Sequence, residues 1–348
     1  MGSRARLYIE RYPIKVLIGR IKAKIMRRKM QQHVLEEAAT SERFDEEAYL
    51  RANPDVAAAV KNGQLQSGRQ HFELFGRNEG RRLQHSGRDA GQILEVKQRK
   101  LLKIRPLLRD DLPHVVHQDH FDFLTEDLRN EFNIADTDNV SSHGYDDHVM
   151  KLIQKHSNGV VLDIGAGRRP IYFENVVNFE IALYDTTDVR GVGECLPFKD
   201  NSVDGIISIA VLEHVKDPFL CAAEISRILK PGGDLICCVP FLQPLHAYPN
   251  HYYNMTHEGL RNLFARSLVI DQISVYDSIL PIWSLTWILR SWADGLKGKT
   301  REEFLKLSVA ELLESGEKYL DRSFVRELSA EKNLELASAC VLFAHKGR

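Results

Sequence analysis

From residue 160 onward the hydrophobic positions alternate between two periods. Val160–Ile164, Phe179–Tyr184, Val203–Ile209 and Leu235–Val239 are short apolar runs bounded by turn residues, as expected of strands buried in a sheet. Asp217-Pro218 opens a helix that runs to Leu229, and Lys230-Pro-Gly-Gly233 ends it. That order predicts an α/β fold with a mostly parallel sheet and flanking helices. Leu268–Val275 and Leu334–Phe343 read as two final strands. Between them lies a helical insertion, 278–333, carrying Trp283, Trp287 and Trp292. Packing within its domain and lining a substrate wall are both open to such a segment.

The pattern before residue 160 is different. Ile14, Ile18, Ile21 and Ile25 recur at helical spacing, with Arg11, Lys15, Lys22 and Lys29 on other faces, so residues 1–33 read as a basic amphipathic helix. Such a helix rests on an anionic membrane surface, packs on a protein, or is a tail. Residues 43–84 read as a small helical module. Asp45 caps its first helix, Pro54 begins the second and Asn62-Gly63 stops it. Ser67 caps a third, with Phe72 and Phe75 facing inward and Gly76 at its end. His85–Gly91 reads as a linker, and 92–158 as a helical lead-in with helices over Ile93–Leu108 and His143–His156. His114, His117, Asp119, His120 and Asp122 fall in this lead-in at a spacing that matches no zinc signature.

Composition changes this picture little. The 348 residues are 43% hydrophobic, enough for a substantial core. A net charge of -1 gives no general attraction to nucleic acid, and no specific nucleic-acid recognition module is present. Met1–Gln32 departs from the average, with ten Arg or Lys residues against Glu10. Cys195, Cys221, Cys237, Cys238 and Cys340 show neither metal-ligand spacing nor a disulfide framework. With no signal-peptide pattern and no apolar run of spanning length, the expectation is a cytoplasmic chain, with peripheral contact at the inner membrane or with a protein through 1–32 left open.

The chemistry lies in motifs. Val161-Leu-Asp-Ile-Gly-Ala-Gly167 is a strand running into a glycine turn. Arg168, Arg169 and Pro170 follow, so this is not a full dinucleotide-binding fingerprint, and Pro170 suits the first turn of a helix. Leu196-Pro-Phe198, Leu212-Glu-His-Val215 and Leu229-Lys-Pro-Gly-Gly233 follow in order. Together these motifs resemble the class I, Rossmann-like S-adenosylmethionine-dependent methyltransferases of the broad small-molecule type, including those associated with bacterial surface-glycan synthesis. The resemblance covers Val160–Lys346 and marks 159–348 as the methyltransferase domain.

The resemblance implies a seven-stranded, mostly parallel sheet. It implies that Asp163, Gly165, Ala166 and Gly167 shape the pocket for the methionine portion of the donor. It puts an acid at the end of the second strand on the ribose hydroxyls, here Asp185, with Asp188 as the competitor. It brings Gly193–Phe198 to the adenine through Glu194, Cys195 and Leu196, although Val192 replaces the aspartate often found there. His214 contacts the donor or acceptor, or packs the next helix.

On the acceptor side, Pro240–His257 follows the fifth strand. His246 and His251 are the general-base candidates, Tyr252 and Tyr253 the orienting ones, and His257 begins the helix that Thr256 caps. The histidine spacing matches no zinc motif, sulfonium chemistry needs no metal, and none is expected. The expected function is methyl transfer to a small-molecule or glycan-linked acceptor, with a sugar hydroxyl in polysaccharide biosynthesis favoured. The alternative is a catalytically inactive fold acting as a binding or scaffolding protein.

Overall fold

The computed structural model describes residues 32–84, 88–135, 144–246 and 249–342. The basic helix expected over 1–33 lies outside these residues, except that Gln32 and His33 belong to strand β1, Gln32–Val34. The chain forms two compact units. Of the described residues, the first takes in those within 32–134, 144–208 and 227–237; the second takes in 135, 209–226 and those within 238–342.

The first unit begins with β1 and β2 (Glu36–Ala38). Helices α1 (Glu46–Ala52), α2 (Pro54–Lys61) and α3 (Gly68–His71) follow, the last widening into a π turn over Phe72–Gly76. Asp45 and Ser67 cap the backbone N–H groups of Ala48 and Gln70, as their side chains dictate. Ala48, Tyr49, Val56, Phe72 and Leu83 make the core of this module. Phe75 does not join them: it is exposed, because the wider π turn rotates it away from the inward face. Strand β3 (Arg82–Gln84) pairs antiparallel with β2 and closes the module.

Helix α4 (Arg88–Ile104) begins where the sequence suggested a linker, whose residues 85–87 lie outside the described set. Then come β4 (Val115–Val116), β5 (Phe121–Asp122), α5 (Glu126–Phe132) and α6 (Asp147–Lys155). The sheet proper uses β6 (Val161–Ile164), β8 (Val176–Glu180), β9 (Val189–Arg190), β10 (Val203–Ile209) and β11 (Leu229–Cys238). Helix α7 (Pro218–Ile228) precedes β11. The seven strands lie in the order β11-β10-β6-β8-β9-β5-β4. β10, β6, β8, β9 and β5 run parallel, in registers such as Asp163↔Ile207 and Asp163↔Asn178, and β4 is antiparallel to β5. Val161, Leu162, Val203, Ile206 and Ile207 are fully buried, as expected of strands covered on both faces. This is the Rossmann-like α/β class the motifs implied.

Three local expectations are corrected. Pro170 opens no helix; β7 (Ile171–Phe173) follows it and pairs antiparallel with β1. Aromatic and β-branched side chains favour that extended form, and the stretch from Ile164 to Val176 is short for a helical crossover. The strand read as Phe179–Tyr184 is β8, which ends at Glu180. Among the described residues, 268–275 is irregular, with Val269 and Val275 exposed, and 330–336 is helical, so neither expected final strand forms. A β-prone run needs a neighbour to pair with, and among the described residues 268–275 joins no sheet; β5 and β4 extend the sheet beyond β9, at the edge opposite β11.

The second unit is mostly helical: α8 (His257–Phe264), α9 (Pro281–Asp294), α10 (Gly298–Leu305), α11 (Val309–Leu312), α12 (Ser323–Arg326) and α13 (Ala330–Leu336). Ala293, Leu296, Phe304, Phe324 and Leu328 form a core of its own. Trp292 stacks on Phe304 with centroids 5.7 Å apart and donates its indole N–H to the Phe324 carbonyl at 2.8 Å. Trp283 remains exposed. No helix among the described residues is long and apolar enough to cross a membrane.

Candidate functional site

The glycine turn sits at the carboxyl end of β6, where open α/β sheets carry their ligands. Gly165 and Gly167 hold φ of 63° and 61°, a left-handed conformation that costs about 1–2 kcal/mol for a residue with a Cβ. Ala166 N–H donates to the Phe179 carbonyl at 3.1 Å. Gly167 N–H donates to Glu180 Oε2 at 2.7 Å. Glu180 is the last residue of β8, the strand beside β6, and also accepts from the backbone N–H groups of Ile181 and Ala182. Burial pushes its carboxyl up, against those three backbone bonds. The acid at the strand end is therefore Glu180.

Asp185 is five residues further on. Its carboxylate receives Nε–H and Nη2–H of Arg168, both at 2.9 Å, and is half exposed. Arg168 also pairs with Glu36 of β2, so the N-terminal module is tied to the residue after the glycine turn. Asp188 is fully buried and committed to the fold: it accepts from Lys100 Nζ at 2.8 Å, from the Asn178 N–H at 2.9 Å and from the Tyr172 hydroxyl. Helix α4 supplies Lys100, and also Lys97, whose Nζ donates to the Asp185 and Thr187 carbonyls. This lead-in helix buttresses the 185–188 turn with lysine heads on buried stems.

Asp163 lies in the middle of β6 with no exposure. Arg169 grips it with Nε at 2.8 Å and Nη2 at 3.0 Å, and the Tyr145 hydroxyl adds a bond at 2.5 Å. The Arg169 guanidinium also lies over the Tyr145 ring, 4.4 Å from its centroid. Asp163 thus shapes the turn through Arg169 and Tyr145. In the next motif Val192, Leu196 and Phe198 are fully buried, Glu194 is nearly so and Cys195 is half-buried. Arg227 donates to the Leu196 carbonyl at 3.0 Å and the Phe198 carbonyl at 2.8 Å, fixing this segment.

The second unit gathers the histidines. Ala210, directly after β10, takes a left-handed φ of 56° and donates its N–H to the Cys238 carbonyl at 2.9 Å. The Val211–Val215 loop follows. Glu213 in that loop has no exposure, and neither carboxylate oxygen has a hydrogen-bond partner among the described residues. Burial pushes its carboxyl up to about 8. The Glu213 carbonyl accepts the N–H of Tyr252 at 2.7 Å and of Tyr253 at 3.2 Å, which joins the loop to the 249–255 segment.

His214 Nδ1 lies 2.6 Å from the Asn250 carbonyl, and His246 Nδ1 lies 2.9 Å from the Pro244 carbonyl. A carbonyl only accepts, so each neutral ring carries its proton on Nδ1 and its lone pair on Nε2. His251 is arranged otherwise. Its Nδ1 accepts the His246 N–H at 3.1 Å, and its Nε2 faces Asn254 Oδ1 at 3.0 Å. Both of its ring nitrogens are engaged, so of the two expected bases His246 has the suitable tautomer. Burial holds His214 down at about 4, partly offset by the Asn250 bond and reinforced by His246 and His251. Burial and His246 also hold His251 below the usual range. The Tyr253 hydroxyl donates to the Lys216 carbonyl at 3.3 Å, and its ring is exposed. His257 opens α8 and faces Glu258, a place at the helix start.

Sequence reasoning missed Glu180, Glu213 and Tyr145. Glu180 had a signal, an acid closing the Val176–Glu180 run; Glu213 stood beside the chosen His214 in the same motif.

A methyltransferase-domain family profile matches residues 162–237, from β6 into β11. An uncharacterized methyltransferase from Mycobacterium sp. (strain JLS) is 38% identical over 69 residues, 20% of this chain and 27% of that protein. One from Schizosaccharomyces pombe is 39% identical over 151 residues, 40% of this chain and 51% of that protein. The chain thus spans about a quarter to a half of the length of these curated relatives. A putative methyltransferase structure from Bacillus halodurans is 16% identical, with a TM-score of 0.32, covering 48% of this chain and 86% of that one.

Proposed function

We propose that this chain binds S-adenosylmethionine at the carboxyl ends of β6 and β8 and transfers its methyl group to a small-molecule acceptor. The observation that carries the reading is the coincidence of the methyltransferase-domain match over 162–237 with the left-handed Gly165–Gly167 turn and a buried acid beside it. In this reading the glycines let the donor approach the backbone, and Glu180 replaces Asp185 as the acid that receives the ribose hydroxyls. The Gly193–Leu196 segment supplies the adenine side through backbone groups near Cys195 and Leu196.

The chemistry asks little of the protein beyond alignment and exclusion of water, because the sulfonium methyl is already electrophilic. The acceptor oxygen gives its electron pair to the methyl carbon, the carbon–sulfur bond breaks, and S-adenosylhomocysteine leaves. A hydroxyl acceptor also gives up its proton to a base within hydrogen-bond reach.

For the acceptor class we propose a sugar hydroxyl, free or glycan-linked. Support for this is the resemblance of the motif set to methyltransferases associated with bacterial surface-glycan synthesis. The test is methyl transfer from labelled donor to a panel of sugars, lipid-linked sugars, carboxylic acids and thiols. Turnover restricted to hydroxylated sugars supports the reading; turnover only on carboxylates or thiols refutes the acceptor class and leaves donor chemistry standing. A second reading, a binding protein without catalysis, draws on Asp163 being wholly occupied by Arg169 and Tyr145. It predicts donor binding without turnover on any member of the panel.

A further inference from the structure

Glu213 presents a problem in physical chemistry. A carboxylate with no exposure and no hydrogen-bond partner is expensive, and buried polar groups left so in a folded protein call for a water, a proton or an ion. Its surroundings supply more than a proton acceptor. One ligand atom from each of Glu213, His214 and His246 lies within 4.8 Å of the other two. The Glu213 carboxylate is 3.8 Å from His214 Nε2.

The imidazole tautomers narrow the choice. Metal-binding histidines characteristically donate the second ring N–H to a carbonyl or carboxylate, which fixes the tautomer and orients the ring. The Nδ1 contacts of His214 to the Asn250 carbonyl and of His246 to the Pro244 carbonyl are of this kind. His251 is not a ligand in this arrangement; it accepts the His246 backbone N–H and so holds the His246 segment in place. The His246 ring also rests near Trp287, centroids 5.3 Å apart, giving the group an apolar wall.

We propose that Glu213, His214 and His246 bind a divalent first-row transition-metal ion, zinc above all, through a carboxylate oxygen and the two Nε2 atoms. Two imidazoles and one carboxylate are a borderline-soft N/O donor set, suited to zinc and unlike the all-oxygen sets of calcium or magnesium. Four-coordinate zinc with bonds of about 2.1 Å holds its ligand atoms about 3.4 Å apart, so each side chain closes by roughly 0.8 Å from the widest arrangement. Three protein ligands leave a position open to water or to a substrate oxygen. The second histidine-rich group, His117, His120 and Asp122, is a weaker case: Asp122 already accepts from Arg190 at 3.1 Å and from the Leu124 N–H at 2.9 Å.

Metal binding stands independently of methyl transfer. A hydroxyl bound at the open position is more acidic than the same hydroxyl in water.

The test is titration of the EDTA-stripped full chain with Co2+ and then Zn2+, without S-adenosylmethionine. One equivalent of Co2+ should bind with a visible absorption band that one equivalent of Zn2+ abolishes. Glu213→Gln and His246→Ala should each weaken Zn2+ binding at least about 100-fold. His251→Phe, which removes only a supporting group, should weaken it about 10-fold, within the range for such groups. His117→Ala should leave it unchanged. A folded parent with no stoichiometric Co2+ band overturns the proposal, as does Zn2+ affinity unaltered by His246→Ala, a half-buried loop residue suited to the test even if Glu213→Gln fails to fold. Donor binding is measured separately, so metal binding without donor binding refutes the function reading alone, and the converse refutes the metal site alone.

Discussion

Replacing Arg169 by Met should destabilise the first unit severely. Asp163 has no exposure and the Arg169 side chain is 8% exposed, so water does not compensate either charge. The substitution removes bonds at 2.8 and 3.0 Å and the contact over Tyr145, and leaves the Asp163 carboxylate with the Tyr145 hydroxyl alone. Breaking one side of a buried pair costs about 3–5 kcal/mol, chiefly through the stranded charge. At roughly 2–4 °C per kcal/mol for a domain of this size, the melting temperature falls by roughly 6–20 °C. Urea unfolding followed by far-UV circular dichroism at pH 7 measures the cost. The double variant Asp163→Asn, Arg169→Met strands no charge and should be less destabilised than Arg169→Met alone. A cost below about 1 kcal/mol for Arg169→Met, or a double variant worse than the single, would refute the reasoning.

Other predictions concern packing, pH and donor specificity. Gly76→Ala should destabilise the N-terminal module by about 1–3 kcal/mol, because a Cβ there meets the buried Tyr49 hydroxyl at 2.0 Å; Tyr49→Phe should relieve part of that cost in thermal unfolding. Burial pushes the Asp204 carboxyl up, but Lys230 at 2.8 Å and the Val160 N–H outweigh it and hold it below the ordinary 3.8. Its contribution is present above that pH and lost as pH falls through the folded value, so Asp204→Asn should flatten the fall in urea midpoint on acidification. Asp185→Ala should change donor affinity by less than about 3-fold, since Arg168 occupies that carboxylate and hydrogen bonds to charged groups are worth far more only where they reach the ligand.

Much of the architecture was legible because it rests on local chemistry. Asp45, Ser67 and Thr256 cap helices because their side chains satisfy N–H groups three residues on. Val203–Ile209 is a strand with those bounds because the apolar run is buried between neighbours. Where tertiary pairing decides, the sequence was mute. Ile171–Phe173 became a strand because β1 was there to pair with it, and 268–275 did not because nothing among the described residues paired with it. Glu180 lies inside the apolar run Phe179–Tyr184, so its place at a strand end follows only from where β8 stops pairing. The Glu213–His214–His246 group combines residues 33 apart, so no spacing rule reports it. Tautomers, which separate His246 from His251, follow from carbonyl positions that only a folded chain provides.

The account turns on the donor, and calorimetric titration of the folded, ligand-free chain with S-adenosylmethionine tests it most directly, with Glu180→Ala run beside the parent. Saturable binding of one equivalent is predicted, weakened about 10–100-fold in Glu180→Ala, as expected for lost hydrogen bonds to a charged acceptor worth about 1.5–3 kcal/mol. An absence of binding by the parent, or binding indifferent to Glu180→Ala and abolished by Asp185→Ala, contradicts the account.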